Sequence, residues 1–450
     1  MRIFFVVIAT ALSHASLHAA GTDEKPNIVF VLFDDLGYGQ PPSFRKSSEF
    51  KTPNFDRLAR EGIRFTDAHS AASNCTPTRY GVLTGRYPSR IGQFGVLKTY
   101  NPPIIPPERM TVASLLKRHG YHTACVGKWH LGLVWADGQP GTQKKVPVGA
   151  KLAVGPSSIG FDYFCGFTHA GNIGTVIEQD AVIANVDPVD NQPLMLEKAL
   201  KYIDRRSSSD QPFFLYFPTC PPHTPIVPAA EFIGKSGITG EESRYGDWVF
   251  QGDDMLGQLL NALDRHGLAE NTLVIATGDN GAAHRPYPPL REAKSSIYEG
   301  GHREPFVARW PGKIEPGSIN GHTICLNDLL ATCADLLGAE LPEDAGEDSY
   351  SVLPYLLGSS TEPIREATIH QAPRGLAIRQ GPWKLVFHDA GKRELFNLES
   401  DLSETTDVSE DHPAIVDRLT RLFQSYIDRG RSTPGTPQEN EFALSLSGNR

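Results

Sequence analysis

The chain has 450 residues, enough to bury a large core and hold two or three domains. Hydrophobic residues make up 40% and charged residues 21%, values of a globular protein rather than a disordered one. The formal net charge is -9 and no basic block occurs, which argues against nucleic acid as a partner; an anionic small substrate is not excluded, because local Lys and Arg decide that.

Arg2, a short apolar run over residues 3–12 and small residues at Ala19 and Ala20 predict an export signal over residues 1–20. The expected location is therefore periplasmic or secreted. The apolar run is too short for a stable membrane anchor, and no later segment approaches the required length. Residues 27–33 form a near-continuous apolar run of strand length that ends in Asp34 and Asp35. Helices are predicted over residues 54–61 and 111–119, the second with Thr111 as N-cap and Gly120 as its stop. The 3.6-residue period predicts two more over 194–205 and 252–266. Residues 213–217 read as a strand leading into a Pro-rich loop with His223. Residues 272–277 read as another, ending in Asp279 and Asn280. Strands alternating with helices predict an α/β fold over residues 21–360: a large mixed, mostly parallel sheet sandwiched by helices, with ligands gathered at the strand carboxyl ends. Residues 361–430 change character. Short strands over 375–379, 383–387 and 394–398 and a helix over 413–429 predict a smaller antiparallel sheet plus helix, and residues 431–450 read as a flexible tail.

Six cysteines occur, with no CxxC pair or zinc spacing, and no disulfide is forced. Cys325 and Cys333 are expected in the core of one helix. Cys75 begins the run Cys75-Thr76-Pro77-Thr78-Arg79. Pro77 suits a first helical turn, which puts Cys75 at a helix N-terminus, where negative charge is favoured, and Arg79 one turn on. Taken alone, this leaves a buried thiol, half of a disulfide and a thiolate nucleophile all open. Asp34, Asp35, Asp279 and Asn280, converging from strand ends, form an all-oxygen donor set suited to a hard cation.

The Cys75 run resembles the defining pentapeptide of the type I sulfatases, in the alkaline-phosphatase-like superfamily. Residues 120–132 are similar to a second block of that family, GYxTxxxGKWHLG, which contains Lys128 and His130. Pro222-His223-Thr224-Pro225 is similar to a third, and residues 289–312, with Lys294, to a fourth. The fourth departs from the pattern near Glu292 and Ala293 and at Glu304, where a hydrophobic residue is usual. The resemblance implies that Cys75 becomes Cα-formylglycine through a maturation enzyme. It implies one Ca²⁺ on Asp34, Asp35, Asp279, Asn280 and the residue-75 oxygen. Lys128, Lys294 and His223 would then meet the sulfate, His130 would act as a base, and Arg79 would support residue 75. The implied activity is hydrolysis of sulfate monoesters. A phosphomonoester or phosphonate hydrolase on the same fold, or a non-catalytic anion binder if Cys75 stays unmodified, are the alternatives. A sulfated carbohydrate is the expected substrate, with Trp135, His169, Asn172, His284, Arg285, His370 and Arg374 as candidates for the site's mouth.

Overall fold

The strand Asn27–Asp34 is buried along its whole length, and its side chains divide by parity. Ile28, Phe30 and Leu32 enter one hydrophobic core, while Val29, Val31 and Phe33 enter another on the opposite face. A strand apolar at every position is thus what two covered faces require. The computed structural model describes residues 25–446, so the export signal expected over residues 1–20 lies outside them.

Around this strand runs an eleven-stranded mixed sheet. Thr272–Gly278, Asn27–Asp34, Phe213–Pro222, His122–Lys128 and Tyr163–Phe167 lie side by side and parallel. Arg303–Arg309 adds antiparallel to Thr272–Gly278, and Ile63–His69 pairs antiparallel beyond it. Because the five inner strands are parallel, their carboxyl ends reach one rim together. Asp34, Asp279, His223 and Lys128 stand at or just past those ends.

Two helices are longer than their apolar period suggests. One starts at Pro188, in the first-turn position that tolerates proline, and runs to Arg206. The other spans Ser243–Arg265, and its first turns hold buried acids that break the pattern. Asp247 accepts from the backbone of Gly234 and Ser236. Asp253 accepts from the amides of Asn54 and Phe55 at 3.0 and 2.7 Å, capping the helix Pro53–Glu61 from outside. Thr111 caps Val112–Arg118 through a reciprocal bond with Ser114. Cys333 lies in the helix Leu329–Leu336, but Cys325 ends a short strand instead of sharing that helix.

The smaller sheet has the order Thr368–Ala372, Gly375–Gln380, Trp383–His388, Arg393–Asn397, all antiparallel. The helix Pro413–Asp428 packs Leu419, Phe423 and Tyr426 on it. Its first strand also reaches the large domain. Ser73 N–H donates to Gln371 O at 2.9 Å and Gln371 N–H to Ala71 O at 3.0 Å, just ahead of Cys75. Beneath this junction Lys384 pairs with Glu299 and Glu404 at 3.0 and 2.8 Å, and His302 stacks on His370 at 4.1 Å, all buried.

The residues expected as a tail from 431 lie, through residue 446, against the body of the protein. Arg431, Ser432 and Thr433 are buried, Glu441 pairs with Arg86 at 2.7 Å, Asn440 accepts from Arg90, and Leu446 joins the core of the smaller sheet. Several polar residues there bond to the body of the protein, a use that composition does not reveal.

Candidate active site

Cys75 is the first residue of the helix Cys75–Thr84, and every residue of that helix is buried. Asn74 precedes it in extended conformation without a side-chain cap, so the first amides are not taken by an N-cap side chain. Gly85 ends it in the left-handed conformation, closing Gly85 N–H onto Gly81 O at 2.8 Å.

Three carboxylates and three cations meet beside Cys75, all of them at least largely buried. Arg79 donates to Asp279 at 2.7 Å and to Lys128 O at 3.1 Å, and lies 3.5 Å from Asp34. Lys128 pairs with Asp34 and Lys294 with Asp35, each at 2.5 Å. Asp35 N–H donates to Asp279 Oδ1 at 3.0 Å, and Asn280 donates to Asp35 Oδ1 at 2.7 Å. Asp35 and His130 are held at positive φ, 65° and 60°, where only packing keeps a side-chain-bearing residue. Gly127, at φ 131°, has no such choice: a Cβ there would lie 2.0 Å from Pro218 O, so glycine lets the strand carrying Lys128 close onto its neighbour.

The two histidines are fixed in different ways. His130 Nε2 lies 2.8 Å from Leu97 O, which can only accept, so Nε2 carries the hydrogen. His130 Nδ1 is then a bare nitrogen, buried and without a hydrogen-bond partner. Thr76 anchors this arrangement, donating to His130 O at 3.0 Å and accepting from Leu97 N–H at 3.1 Å. His223 Nδ1 faces Thr224 O, so its chemistry runs through Nε2, 3.8 Å from Asp35 Oδ2.

Electrostatics follow the geometry. Burial alone would raise Asp34, but Lys128, His223 and Arg79 outweigh it and hold Asp34 well below the usual carboxylate range. Burial and then the Asp34 charge push Asp279 up. Burial, followed by the Lys128 charge, holds His130 well below ordinary imidazole. Burial pushes the Cys75 thiol up against the pull of Lys128 and Lys294, which weighs against the thiolate-nucleophile reading. No disulfide forms: all six cysteines are free and buried.

The oxygen atoms match a hard cation. Asp34 Oδ1, Asp35 Oδ2 and Asn280 Oδ1 are buried without a hydrogen-bond partner, a costly arrangement unless something else satisfies them. One ligand atom each from Asp34, Cys75 and Asp279 lie within 4.8 Å of one another.

Above this floor opens a cleft of about 580 Å³, lined in part by Cys75, Lys128, His130, His223 and Lys294. Of the candidates for its mouth only His169 lines it. Trp135 is buried, and its indole props the backbone of Thr99 at 3.0 Å; Asn172 is buried against Thr168. Arg285 turns to Glu242 and stacks on Tyr245, and His284 and Arg374 are exposed and do not line the cleft. His370 is fully buried in the inter-sheet junction. The loops that do form the mouth, through Val96, Leu97, Lys98, Gln143 and Lys144, carry no motif, and nothing in the sequence ties them to Cys75.

Residues 26–339 match the family model for sulfatases. The chain is 31% identical to an N-acetylgalactosamine-6-O-sulfatase of Bacteroides thetaiotaomicron, over 89% of this chain and 93% of that protein. It is 34% identical to human arylsulfatase A, over 81% of this chain and 75% of that one. Among solved structures, one from work on glycosaminoglycan metabolism by Bacteroides thetaiotaomicron superposes with a TM-score of 0.81 at 29% identity, over 89% of this chain and 99% of the other. With a cysteine, paired lysines and buried carboxylates assembled at one rim of the sheet, and with these relatives, the chain belongs to the type I sulfatases and is a sulfatase.

Proposed function

We propose that this sulfatase hydrolyses sulfate monoesters of carbohydrates and that Cys75, once oxidised to formylglycine by a separate maturation enzyme, is the residue that attacks. The observation that carries this reading is the cleft floor, where Cys75 lies with Lys128 and Lys294 and with the unpartnered Nδ1 of His130. Asp34, Asp35, Asp279, Asn280 and the residue-75 oxygen would hold one Ca²⁺, chosen because every donor is then a hard oxygen. When bound, it supplies Lewis-acid polarisation and charge neutralisation at the sulfate.

The chain's own residues do the remainder. Three carboxylates already balance Lys128, Lys294 and Arg79, so a divalent cation leaves the site positive, the sign an anionic ester needs. Lys128 and Lys294 sit where they can bind sulfuryl oxygens and stabilise charge as the S–O bond breaks. His130 is the base: its Nδ1 is bare, and burial keeps it neutral at pH 7. His223 presents Nε2 to the leaving alcohol, and an anion bound beside it favours the protonated form that donates there. Arg79 touches Asp279 and the Lys128 carbonyl, so it is a positioning residue. The expected setting is outside the cytoplasm, with residues 1–20 as the export signal. Among the described residues no helix is long and apolar enough to cross a membrane.

The test is paired. The mass of the peptide containing residue 75, from active protein, should show the thiol replaced by an aldehyde or its hydrate, and turnover on sulfated saccharides should scale with that fraction. Full activity with an intact Cys75 thiol rejects the mechanism. Activity unchanged after exhaustive chelation, with metal analysis showing none bound, rejects the cation.

A further inference from the structure

The cleft is lined by four lysines, Lys98, Lys128, Lys144 and Lys294, and by no carboxylate. Two of these are spoken for: Lys128 by Asp34 and Lys294 by Asp35. Lys98 and Lys144 are exposed at the mouth, and neither has a carboxylate within ion-pair distance among the described residues. A net charge of -9 makes an uncompensated pair of cations at this one opening the more notable.

The loops that carry them are tied together. Thr99 N–H donates to Gln143 Oε1 at 3.2 Å and Thr99 Oγ1 to Gln143 O at 2.5 Å; Gly141 N–H donates to the Tyr100 hydroxyl at 2.9 Å. Lys98 N–H is held by Asn101, and Leu97 by Thr76 and His130. His169 locks the third side, accepting from Gly171 N–H and bonding Thr99 Oγ1 at 3.1 Å. The two lysine backbones are therefore fixed relative to each other and to the catalytic floor, and only the side chains have to settle.

We propose that Lys98 and Lys144 form a subsite for a second anionic group on the same saccharide, a carboxylate or a further sulfate, so that the preferred substrate carries at least two negative charges. This rests on the sulfatase reading of the floor, and the experiment separates the two. A sulfated monosaccharide is presented alone, joined to a neutral sugar, joined to a uronic acid, and joined to a second sulfated sugar, with an aryl sulfate as reference. Hydrolysis is measured for the mature enzyme and for Lys98→Ala/Lys144→Ala. Binding of the same saccharides is measured separately on Cys75→Ala protein with and without the two lysine changes.

The double variant should lose about ten-fold in kcat/KM, mostly through KM, on the two doubly charged substrates, and less than about two-fold on the neutral-linked substrate and the aryl sulfate. Lys98→Arg/Lys144→Arg should restore most of the loss. Raising salt should erode the preference of the wild type and leave the double variant nearly unchanged. The arm with the larger loss identifies carboxylate or sulfate as the group read. Equal losses on all substrates, or doubly charged saccharides bound by Cys75→Ala no better than the neutral-linked one, overturn the subsite. Charge-selective binding without any hydrolysis by the mature enzyme overturns the sulfatase reading and leaves the subsite standing.

Discussion

Thr76→Val tests whether His130, the proposed base, is held by the neighbour of Cys75. Valine keeps the shape and removes the hydroxyl, so His130 O loses a donor and Leu97 N–H loses its acceptor. A buried backbone group left unpaired costs about 1–3 kcal/mol. Leu97 is only partly buried, so the lower end applies there, while the His130 carbonyl is buried and takes a mid-range value, giving about 3 kcal/mol in total, a factor of roughly 150 in the unfolding equilibrium. The functional loss has a different origin. The 93–101 loop supplies the carbonyl that keeps hydrogen on His130 Nε2, and a looser loop leaves Nδ1 poorly aimed. Turnover should fall about ten-fold, with KM for an aryl sulfate little changed. Denaturant unfolding and steady-state kinetics on mature protein read the two effects, and Thr76→Ser should restore both. Stability within about 0.5 kcal/mol of wild type, with normal turnover, would refute the anchoring role assigned to Thr76.

Three further outcomes are expected. Burial holds His130, His302 and His370 well below ordinary imidazole and His169 down to about 4, so the unfolded chain binds more protons below about pH 6.5. Stability from these groups is complete above that pH and is lost as pH falls toward the folded values, while Asp253 and Asp279, raised to about 7, work in the opposite direction; imidazole signals of the four residues that titrate near pH 6.5 in the folded protein contradict it. Ending the chain at residue 430 should destabilise it by about 3 kcal/mol, mostly from Leu446 and the other buried residues there, since Glu441 is largely exposed and its pair with Arg86 is worth little; unchanged denaturant midpoints would show the segment idle. Lys128→Ala and Lys294→Ala should each lower turnover about 10²–10³-fold, whereas His223→Ala should harm sugar sulfates far more than activated aryl sulfates; equal losses on both would make His223 a sulfate ligand and not the acid.

What the sequence reveals follows from where the chemistry is local. Asp34, Asp279, Lys128 and His223 stand at the ends of strands whose apolar runs are plain to read, and parallel pairing then puts them on one rim without further information. The helix starting at Cys75 is likewise local, with Pro77 in its first turn. The mouth is different. Lys98 and Lys144 reach it through side-chain bonds between Thr99 and Gln143, residues with no periodicity or motif to pair them. His370, a polar residue in a short strand, looks like a surface group. It is instead a buried ring packed on His302, with both ring nitrogens bonded, to Ser70 O and the Thr368 hydroxyl, because the junction between the two sheets is polar. The length of Ser243–Arg265 escapes for a related reason: its acids serve neighbouring loops, so they interrupt the apolar period without ending the helix.

The pairing of Gln371 with Ala71 and Ser73 also sets a timetable. The segment that leads into Cys75 takes its last backbone partners from a strand about 300 residues further along, so those bonds cannot form until that strand has been made. Once that strand docks, the thiol is 2% exposed on the floor of a cleft, and the peptide around it is helical and buried. Under the proposed maturation, an enzyme that draws the peptide into its own active site would have access before docking and lose it afterward. The yield of mature protein would then be a race between oxidation of Cys75 and arrival of the C-terminal sheet, decided by synthesis and folding rates rather than by equilibrium affinity.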